Sequence, residues 1–376
     1  MRILLLCTQF RFIGGIAEFV DNVASEMLLA GHQVEVACTY YGVAGTEREA
    51  LSRLPVHTLR IPATKRASIR HPERLLRWRR GRELAELIRR VRPDVVHSHV
   101  NQWNKLPAIA AGARRAGVPL VQTLHDCYGG DWSDPAALKA LKGAAALCVQ
   151  TESVRDGLAR FYPPIATAQV IRGGVDCARA AQSVAFPRVR PYILTASRLQ
   201  LSSKAVDVVI EAFAAICPSH PELDLVIAGE GPDRDRLTAL ASELGIDKRV
   251  ELTGAIPRAT LWELYKGAQF FVMASRRPEG LGLVFLESMA CGRPVIGTRS
   301  GGVPEVVHHG EDGLLVERNE APEFADAMRW MATHPDECNQ MGQRGLATMR
   351  AEYDWPRVAT RYLAVYENAI CSWKRT

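Results

Sequence analysis

The sequence predicts an α/β protein built on two doubly wound parallel sheets, and three observations support this. Apolar runs of strand length, rich in β-branched residues, alternate with helical stretches along the whole chain. The runs are unbroken instead of alternating with polar residues, which is typical of parallel strands buried on both faces. With 376 residues, of which 47% are hydrophobic and 23% charged, the chain is long enough for two globular domains.

The strand-length runs fall into two series. The first series covers residues 3–7, 33–39, 56–61, 94–99, 119–125, 146–151 and 168–174. The second covers 191–197, 223–229, 249–254, 270–275, 294–298 and 313–317. Between the two series, residues 175–191 show no periodicity and include Pro187 and Pro191, so we predict a linker there. The expected domains are 1–178 and 190–355.

The two ends of the chain are also informative. The opening run, MRILLLCTQF, is too short and too soon interrupted for a signal peptide or a membrane span, so we expect a buried first strand. The tail predicts a helix after Pro356, with an apolar stripe through residues 359, 362, 363 and 366 that needs a surface to cover it. The nine cysteines contain no Cys-x-x-Cys pair, which disfavours disulfides or zinc and indicates a reducing compartment.

Positive charge is concentrated in one segment, residues 60–92, which holds twelve Lys or Arg against three Glu. One interpretation is a solvated helix face whose arginines cover apolar surface with their stems. The other is a surface that binds anionic lipid headgroups or a phosphorylated acceptor. Nucleic acid is disfavoured, because no recognisable nucleic-acid-binding motif accompanies the charge.

Glycines at strand-to-helix turns are candidates for binding phosphate through backbone N–H groups. Gly14 and Gly15 follow the first strand and open a helix, where the N-terminus supplies positive potential. Their spacing is not Gly-x-Gly-x-x-Gly, and Glu35 lies inside a strand, so a nicotinamide cofactor is disfavoured. Gly229 and Gly231 form a second such turn, in the sequence AGEGP.

The second series offers a denser group of charged residues. Arg198 and Lys204 lie in one strand-to-helix loop, at the edge of a doubly wound sheet where ligands bind, and two cations there suit a diphosphate. Asp233 and Asp235 form an Asp-x-Asp sequence that could hold a metal ion. Because a helix follows them directly, we interpret both as residues of the helix cap and first turn.

Three histidines occur at the ends of two neighbouring strands of the first series. His97 and His99 share one strand end, and His125 closes the next. A zinc site is disfavoured because no Cys or carboxylate accompanies them nearby in the sequence. We take His125 as the site residue and leave His97 and His99 as packing or acceptor-side groups.

The most specific stretch is PEGLGLVFLESMACG, residues 278–292, in which Glu279 and Glu287 lie eight residues apart around a glycine turn. This stretch resembles the Glu-x7-Glu motif of the retaining nucleotide-sugar glycosyltransferases of glycosyltransferase family 4. Weaker points of resemblance to that family are DVVHSH, TLHD, the Arg-x5-Lys pair and AGEGP. The resemblance runs from end to end. It implies the GT-B fold, in which two Rossmann-like domains face each other across a cleft and the last helix, here 356–376, crosses back to the first domain.

The resemblance also implies a role for each matching residue. Glu287 would bind the ribose hydroxyls and Glu279 those of the donor sugar. Arg198 and Lys204 would neutralise the diphosphate. Backbone N–H groups of Gly14, Gly15 and the turn from Gly280 through Leu281, Gly282 and Leu283 would assist, with Gly229 and Gly231 nearby. His125 would contact the sugar beside the anomeric carbon. No metal and no other cofactor would be required.

The expected activity is therefore transfer of a hexose from a UDP- or GDP-sugar to a glycan or lipid-linked acceptor, as in the synthesis of bacterial cell-surface polysaccharide or glycolipid. The expected location is the cytoplasm, peripheral at the inner face of the plasma membrane. Two alternatives remain open: a catalytically silent partner of the same fold, and a transferase acting on small molecules or secondary metabolites. A sugar-nucleotide epimerase is disfavoured, because the sequence lacks a recognisable acid/base carboxylate pair for it.

Overall fold

The computed structural model describes residues 1–10, 15–41, 54–59, 73–127 and 132–374. By their contacts these residues form two compact units. Unit 1 comprises Met1–Gly173 and Trp355–Thr376, and unit 2 comprises Gly174–Asp354. Each unit is a parallel α/β sheet with helices on both faces, and all thirteen predicted strands are present.

The strands of unit 1 are β1 (Arg2–Phe10), β2 (Gln33–Tyr41), β3 (Val56–Thr58), β4 (Val95–Ser98), β5 (Leu120–Leu124), β6 (Ala146–Val149) and β7 (Gln169–Val170). Its helices are α1 (Gly15–Leu29), α2 (Glu73–Val91), α3 (Leu106–Ala116), α4 (Pro135–Lys142), α5 (Glu152–Ala159) and the last helix of the chain, α13 (Trp355–Trp373). The sheet order is β3-β2-β1-β4-β5-β6-β7, so the direction of winding reverses between β1 and β4.

The sheet of unit 1 is buried on both faces, as its unbroken apolar strands require. On one face α1 and α13 bury Phe19, Trp355 and Tyr362. On the other face α2 and α3 bury residues such as Leu84 and Ile109. The apolar stripe predicted in the tail is the buried face of α13, which starts one residue before the predicted Pro356.

The strands of unit 2 are β8 (Tyr192–Ala196), β9 (Asp224–Ala228), β10 (Val250–Gly254), β11 (Phe271–Met273), β12 (Val295–Thr298) and β13 (Gly313–Val316). Its helices are α6 (Cys177–Gln182), α7 (Val206–Ile216), α8 (Arg234–Glu243), α9 (Arg258–Gly267), α10 (Leu283–Ala290), α11 (Ala321–Thr333) and α12 (Pro335–Thr348). The sheet order is β10-β9-β8-β11-β12-β13, which reverses between β8 and β11.

The predicted linker, 175–191, is more ordered than its sequence suggests and lies within unit 2. It contains the short helix α6, which begins where the Asp176 carboxylate accepts a hydrogen bond from the backbone N–H of Arg179 at 2.9 Å. Six residues are too few for a helical period to be recognised in the sequence. None of the described helices combines the length and the apolar character that crossing a bilayer requires.

Candidate functional site

Glu279 lies on the loop between β11 and α10, and its backbone is held in place by a neighbouring glycine turn. The N–H of Gly302 donates to the carbonyl of Glu279 at 2.9 Å. Gly301 has a φ of +59°, and a Cβ atom there would lie 2.2 Å from that same carbonyl oxygen. Only glycine permits this approach, so the turn after β12 fixes the position of the Glu279 backbone.

The carboxylate of Glu279 makes an ion pair with Lys204. The two side chains, about one-fifth exposed, place Lys204 Nζ 2.5 Å from Glu279 Oε1. Ser275 donates a hydrogen bond to the same oxygen, and the backbones of Ser275 and Lys204 form a bridge. Lys204 is therefore already paired with a carboxylate, whereas the sequence had suggested only that it neutralises a diphosphate.

Arg198, the other predicted cation of this loop, is exposed, and its guanidinium makes no ion pair within the described part of the chain. A contact with the loop before α8 holds the loop between β8 and α7 in place. The Asp233 carboxylate accepts a hydrogen bond from the N–H of Leu201 at 2.7 Å. Asp233 and Asp235 occupy the predicted cap and first turn of α8, but the Asp233 side chain bonds to this loop and not to its own helix.

Gly229 and Gly231 are required by packing. A Cβ atom would lie 1.9 Å from the carbonyl oxygen of Ser197 at the first position and 2.2 Å from that of Leu199 at the second. These glycines therefore let the loop after β9 lie directly against the loop that carries Arg198. Their predicted contact with a nucleotide stays a prediction.

Glu287 is buried on α10, with 3% of the residue exposed. Its Oε1 accepts a hydrogen bond from Arg258 Nη2 at 2.5 Å, while its Oε2 makes no hydrogen bond. The hydroxyl of Tyr265 is buried nearby, and its pKa is raised by burial and by the charge of Glu287. A carboxylate this deeply buried is costly without partners, and Arg258 and Tyr265 lie beside it.

Arg258 was not identified from the sequence as a site residue. It opens α9, and its guanidinium lies 5.4 Å from the ring centre of Trp262. Its only sequence signal was a basic residue in the first turn of a helix, where acidic residues are favoured by the helix dipole. That departure from the usual pattern indicates a specific partner, here Glu287.

The glycine turn of Gly280, Leu281, Gly282 and Leu283 leads directly into α10. Gly282 has a φ of +75°, and a Cβ atom there would lie 2.8 Å from the ring of Phe285. Leu281 is buried and anchors the turn. The first N–H groups of α10 have no acceptors within the helix, so this turn offers both amide donors and positive helix potential to an anion.

In unit 1, His125 lies just after β5 and is 8% exposed. Its backbone N–H donates to Asn101 Oδ1 at 2.9 Å, and its Nε2 lies 3.0 Å from His99 Nδ1. Burial lowers the pKa of His125 to about 3, so the ring is neutral at physiological pH. It can act only as a neutral hydrogen-bonding group.

His97 and His99 take different roles. His97 is a packing group, since its nitrogens bond to Tyr366 at 2.5 Å and to Thr123 at 2.7 Å. His99 holds His125, and its own Nε2 is buried without a hydrogen bond. The three rings do not converge on one point, and the described residues contain no group of three or more His, Cys, Asp or Glu side chains arranged to hold a metal ion.

Two predicted features are described only in part. Gly15 is exposed and opens α1, whereas Gly14 lies outside the described residues. Of the basic segment 60–92, side chains are described from Trp78 onward. Trp78 is 47% exposed, with the guanidinium groups of Arg82 and Arg115 within 6 Å of its ring centre at 5.7 and 5.8 Å.

Comparisons with known proteins add to this geometry. Residues 178–348 match the family model described as glycosyl transferases group 1, and residues 13–179 match that of glycosyltransferase family 4. A D-inositol 3-phosphate glycosyltransferase of Catenulispora acidiphila is 31% identical over 74% of this chain and 72% of its own. A GDP-mannose-dependent alpha-(1-6)-phosphatidylinositol monomannoside mannosyltransferase of Mycobacterium tuberculosis is 30% identical over 68% and 71%.

Among solved structures, Anabaena HepE in complex with UDP and glucose superimposes with a TM-score of 0.79, at 19% identity, over 98% of this chain and 99% of that one. At this level of identity the likeness concerns the fold. The agreement extends through both parallel-sheet units, as the predicted GT-B fold requires.

Proposed function

Because the chain belongs to the family-4 type of nucleotide-sugar glycosyltransferases, we propose that it transfers a hexose from a UDP- or GDP-sugar to a glycan or lipid-linked acceptor. The observation that carries this proposal is the arrangement of Glu279, before the glycine turn, and Glu287, on α10 after it, each paired with a cation from another element. The product would enter bacterial cell-surface polysaccharide or glycolipid.

The two carboxylates suit different parts of the donor. Glu287, whose carboxylate is held by Arg258, would bind the ribose hydroxyls. Glu279 would accept hydrogen bonds from the sugar hydroxyls. The diphosphate between them would meet Arg198, Lys204 and the N–H groups at the start of α10. The short pair between Lys204 and Glu279 supports this, because it holds both groups in position before a donor arrives.

We propose a retaining reaction in which the acceptor attacks from the side that the diphosphate leaves. Neither Glu279 nor Glu287 is assigned to proton transfer, since each already interacts with a cation. The departing diphosphate would take the acceptor proton, and fixed cations and amides would stabilise its charge without a metal ion. His125, neutral, would donate a hydrogen bond to the sugar without competing for the proton.

The test is slow donor hydrolysis in the absence of acceptor. The wild-type protein is incubated with a panel of UDP-, GDP- and ADP-sugars, and release of the nucleotide is measured. Glu279→Ala and Lys204→Ala should each lower the rate by at least about 100-fold, because each removes charge stabilisation at the reacting end of the donor. The matched control is Arg329→Ala, which breaks the exposed Arg329–Asp326 pair on α11, elsewhere in unit 2. Wild-type turnover by both site variants contradicts the assignment.

The acceptor is proposed at the level of its class. The two relatives named above act, by their names, on a small polyol phosphate and on a lipid-linked glycan. Both classes therefore remain candidates, and a small-molecule acceptor is the alternative to a cell-surface glycan. A silent partner protein would have no need for the Lys204–Glu279 and Arg258–Glu287 pairs beside one turn.

We also propose that α2 binds the anionic inner face of the plasma membrane. The exposed ring of Trp78 is flanked by Arg82 and Arg115, a combination of aromatic and basic groups that suits the lipid headgroup region. Arg79 is exposed beside them, whereas Arg80 is partly buried. Reversing both charges in Arg79→Glu/Arg82→Glu should weaken partitioning onto anionic vesicles at least about tenfold. Unchanged partitioning removes this part of the proposal.

A further inference from the structure

Arg276 lies on the loop between β11 and α10, shortly before Glu279, and has no role in the proposed function so far. Its guanidinium makes a bidentate ion pair with Asp207, in the first turn of α7. Arg276 Nη1 lies 2.8 Å from Asp207 Oδ1, and Nη2 lies 2.6 Å from Oδ2. Two parallel bonds between a guanidinium and a carboxylate fix both distance and orientation. The pair therefore joins the loop that carries Glu279 to the helix that follows Lys204.

The same guanidinium also holds the backbone from which the Lys204 side chain extends. Arg276 Nη1 donates to the carbonyl of Lys204 at 3.3 Å and to that of Leu201 at 3.2 Å. The N–H of Leu201 is held as well, by the Asp233 carboxylate at 2.7 Å. Hydrogen bonds from a charged donor are stronger than those between neutral groups. The loop between β8 and α7 is thus held at two carbonyls by one arginine.

Backbone hydrogen bonds connect the same two loops on either side of Lys204. The N–H of Ala205 donates to the carbonyl of Ala274 at 3.0 Å, and the N–H of Arg276 donates to the carbonyl of Ser203 at 2.9 Å. These bonds do not involve the Arg276 side chain. A substitution of that side chain can therefore loosen Lys204 while the two loops stay paired.

We infer that Arg276 is a positioning residue for Lys204 and holds the lysine ammonium where the proposed function puts the donor diphosphate. This inference rests on the proposed function. A lysine has a flexible stem, so its charge is fixed only when the backbone and the ammonium are both held. Glu279 holds the ammonium, and Arg276 holds the backbone. Arg276 acts through Lys204 and not on the donor, because both of its Nη atoms already donate to protein acceptors.

The first test is calorimetric binding of UDP, GDP, UMP and GMP to the full-length protein. Arg276→Lys keeps the positive charge but loses the planar fork that the pair with Asp207 needs. Binding of the nucleoside diphosphate should weaken about fivefold, the effect of losing roughly one hydrogen bond. Binding of the monophosphate should change less, because Lys204 lies with Glu279 at the sugar end of the proposed site. Equal weakening of both nucleotides, or of neither, overturns the inference.

The second test determines whether Arg276 acts through Lys204, with a double-variant cycle. Arg276→Lys should weaken diphosphate binding in the wild type and have little further effect in Lys204→Ala, because the group that it positions is then absent. Asp207→Asn removes the charge of the same pair from the other side and should behave alike. Losses of binding free energy that add in Arg276→Lys/Lys204→Ala overturn the inference, since Arg276 would then act on the nucleotide by another route.

The matched control is Arg249→Lys. Arg249 also bonds to a carboxylate and a carbonyl, with Asp224 Oδ1 at 2.9 Å from its Nε and the carbonyl of His220 at 3.3 Å from its Nη2. Asp224 is the first residue of β9, so this pair lies at the amino ends of the strands, opposite the loops that Arg276 joins. Urea unfolding should show losses of stability in both Arg249→Lys and Arg276→Lys. Only Arg276→Lys should weaken diphosphate binding, and equal weakening in the two variants overturns the inference.

Donor hydrolysis by the wild type reports the proposed function separately. Arg276→Lys should also slow this hydrolysis, by about tenfold, because a displaced charge stabilises the departing diphosphate less well. A protein that hydrolyses a sugar nucleotide at the same rate with and without Arg276→Lys refutes this inference alone. A wild type that hydrolyses no sugar nucleotide and binds neither UDP nor GDP refutes the proposed function, and this inference with it.

Discussion

His99 Nδ1 lies 3.0 Å from His125 Nε2, and both rings are buried. One of the two nitrogens must carry the hydrogen of this bond, because both rings are neutral. The second nitrogen of His99, Nε2, is buried and has no hydrogen-bond partner among the described residues. A buried N–H group without an acceptor is rarer than an acceptor without a donor, so the hydrogen of His99 belongs on Nδ1.

We therefore expect His125 to accept that hydrogen bond at Nε2 and to carry its own proton on Nδ1. Nitrogen-15 chemical shifts of the full-length protein, labelled in histidine, distinguish the two tautomers directly. His99→Phe should release the constraint and populate the other tautomer of His125. His97→Gln is the matched control, since His97 bonds to Tyr366 and Thr123 instead of to His125. A proton on Nε2 of His125 in the wild type refutes this tautomer.

The stability of unit 1 should depend on pH because His97, His99 and His125 are buried in the neutral form. Burial lowers the pKa of all three, that of His125 from 6.5 to about 3. Below pH 6.5 the unfolded chain binds protons at these sites and the native state does not. Stability should thus be full above pH 6.5 and fall as the pH is lowered towards 3.

Each histidine contributes a slope of up to about 1.4 kcal/mol per pH unit in this range. Urea unfolding of unit 1 between pH 7 and pH 5, above the titration of ordinary carboxylates, measures the slope. His125→Asn should reduce this slope of stability against pH by up to about 1.4 kcal/mol per pH unit, which is the share of one histidine. A free energy of unfolding that is the same at pH 7 and pH 5 would contradict the neutral burial of these rings.

Removing Arg258 should destabilise unit 2 and weaken donor binding together. Arg258→Ala leaves the buried Glu287 carboxylate without its ion-pair partner, and we expect a loss of about 2 kcal/mol. This is less than for a fully buried pair, because the Arg258 side chain is 33% exposed. In the double variant Arg258→Ala/Glu287→Gln, stability should recover while donor binding does not. Urea unfolding and calorimetry with UDP and GDP measure the two effects, and additive losses in stability would exclude coupling between the residues.

Gly301→Ala should lower activity through the position of Glu279. The new Cβ atom has to displace the Glu279 carbonyl, since it would lie 2.2 Å away. Gly310→Ala is the matched control, because Gly310 also has a positive φ, of +81°, but no atom within 4 Å of the added Cβ. Both variants lose about 1–2 kcal/mol of stability from the left-handed backbone conformation, and Gly301→Ala loses more because of the close contact. Only Gly301→Ala should slow donor hydrolysis, by at least about tenfold, and equal rates in both variants would exclude the contact as the cause.

The sequence predicts the sheets well because their strands are buried on both faces, and every residue of such a strand carries the signal. It also predicts the β11–α10 turn, whose glycines and carboxylates are adjacent in the chain. The pairing of Lys204 with Glu279 joins residues 75 positions apart, and that of Arg258 with Glu287 joins residues 29 apart. Such contacts depend on how separate loops pack, which no local pattern contains.

Other contacts of the site escaped the sequence analysis for a similar reason. Asp233 and Asp235 lie at the predicted cap and first turn of α8, but the sequence did not reveal that the Asp233 carboxylate binds Leu201 in a neighbouring loop. The sequence also did not reveal that Gly229 and Gly231 pack against Ser197 and Leu199, whereas their contact with a nucleotide stays a prediction. In each case the residue type was informative about conformation, and its partner came from an element distant in the chain.

The position of α13 has a consequence for the order in which the two units fold during synthesis. Residues 174–354 form unit 2 as one continuous segment, whereas unit 1 needs the segments on both sides of it. Trp355, Tyr362 and Tyr366 of α13 fill the core beside β1 and β4 and are synthesised after unit 2. On the ribosome, unit 2 can therefore complete its fold while unit 1, although its first segment is translated earlier, waits for α13, with α1 alone covering that face of its sheet.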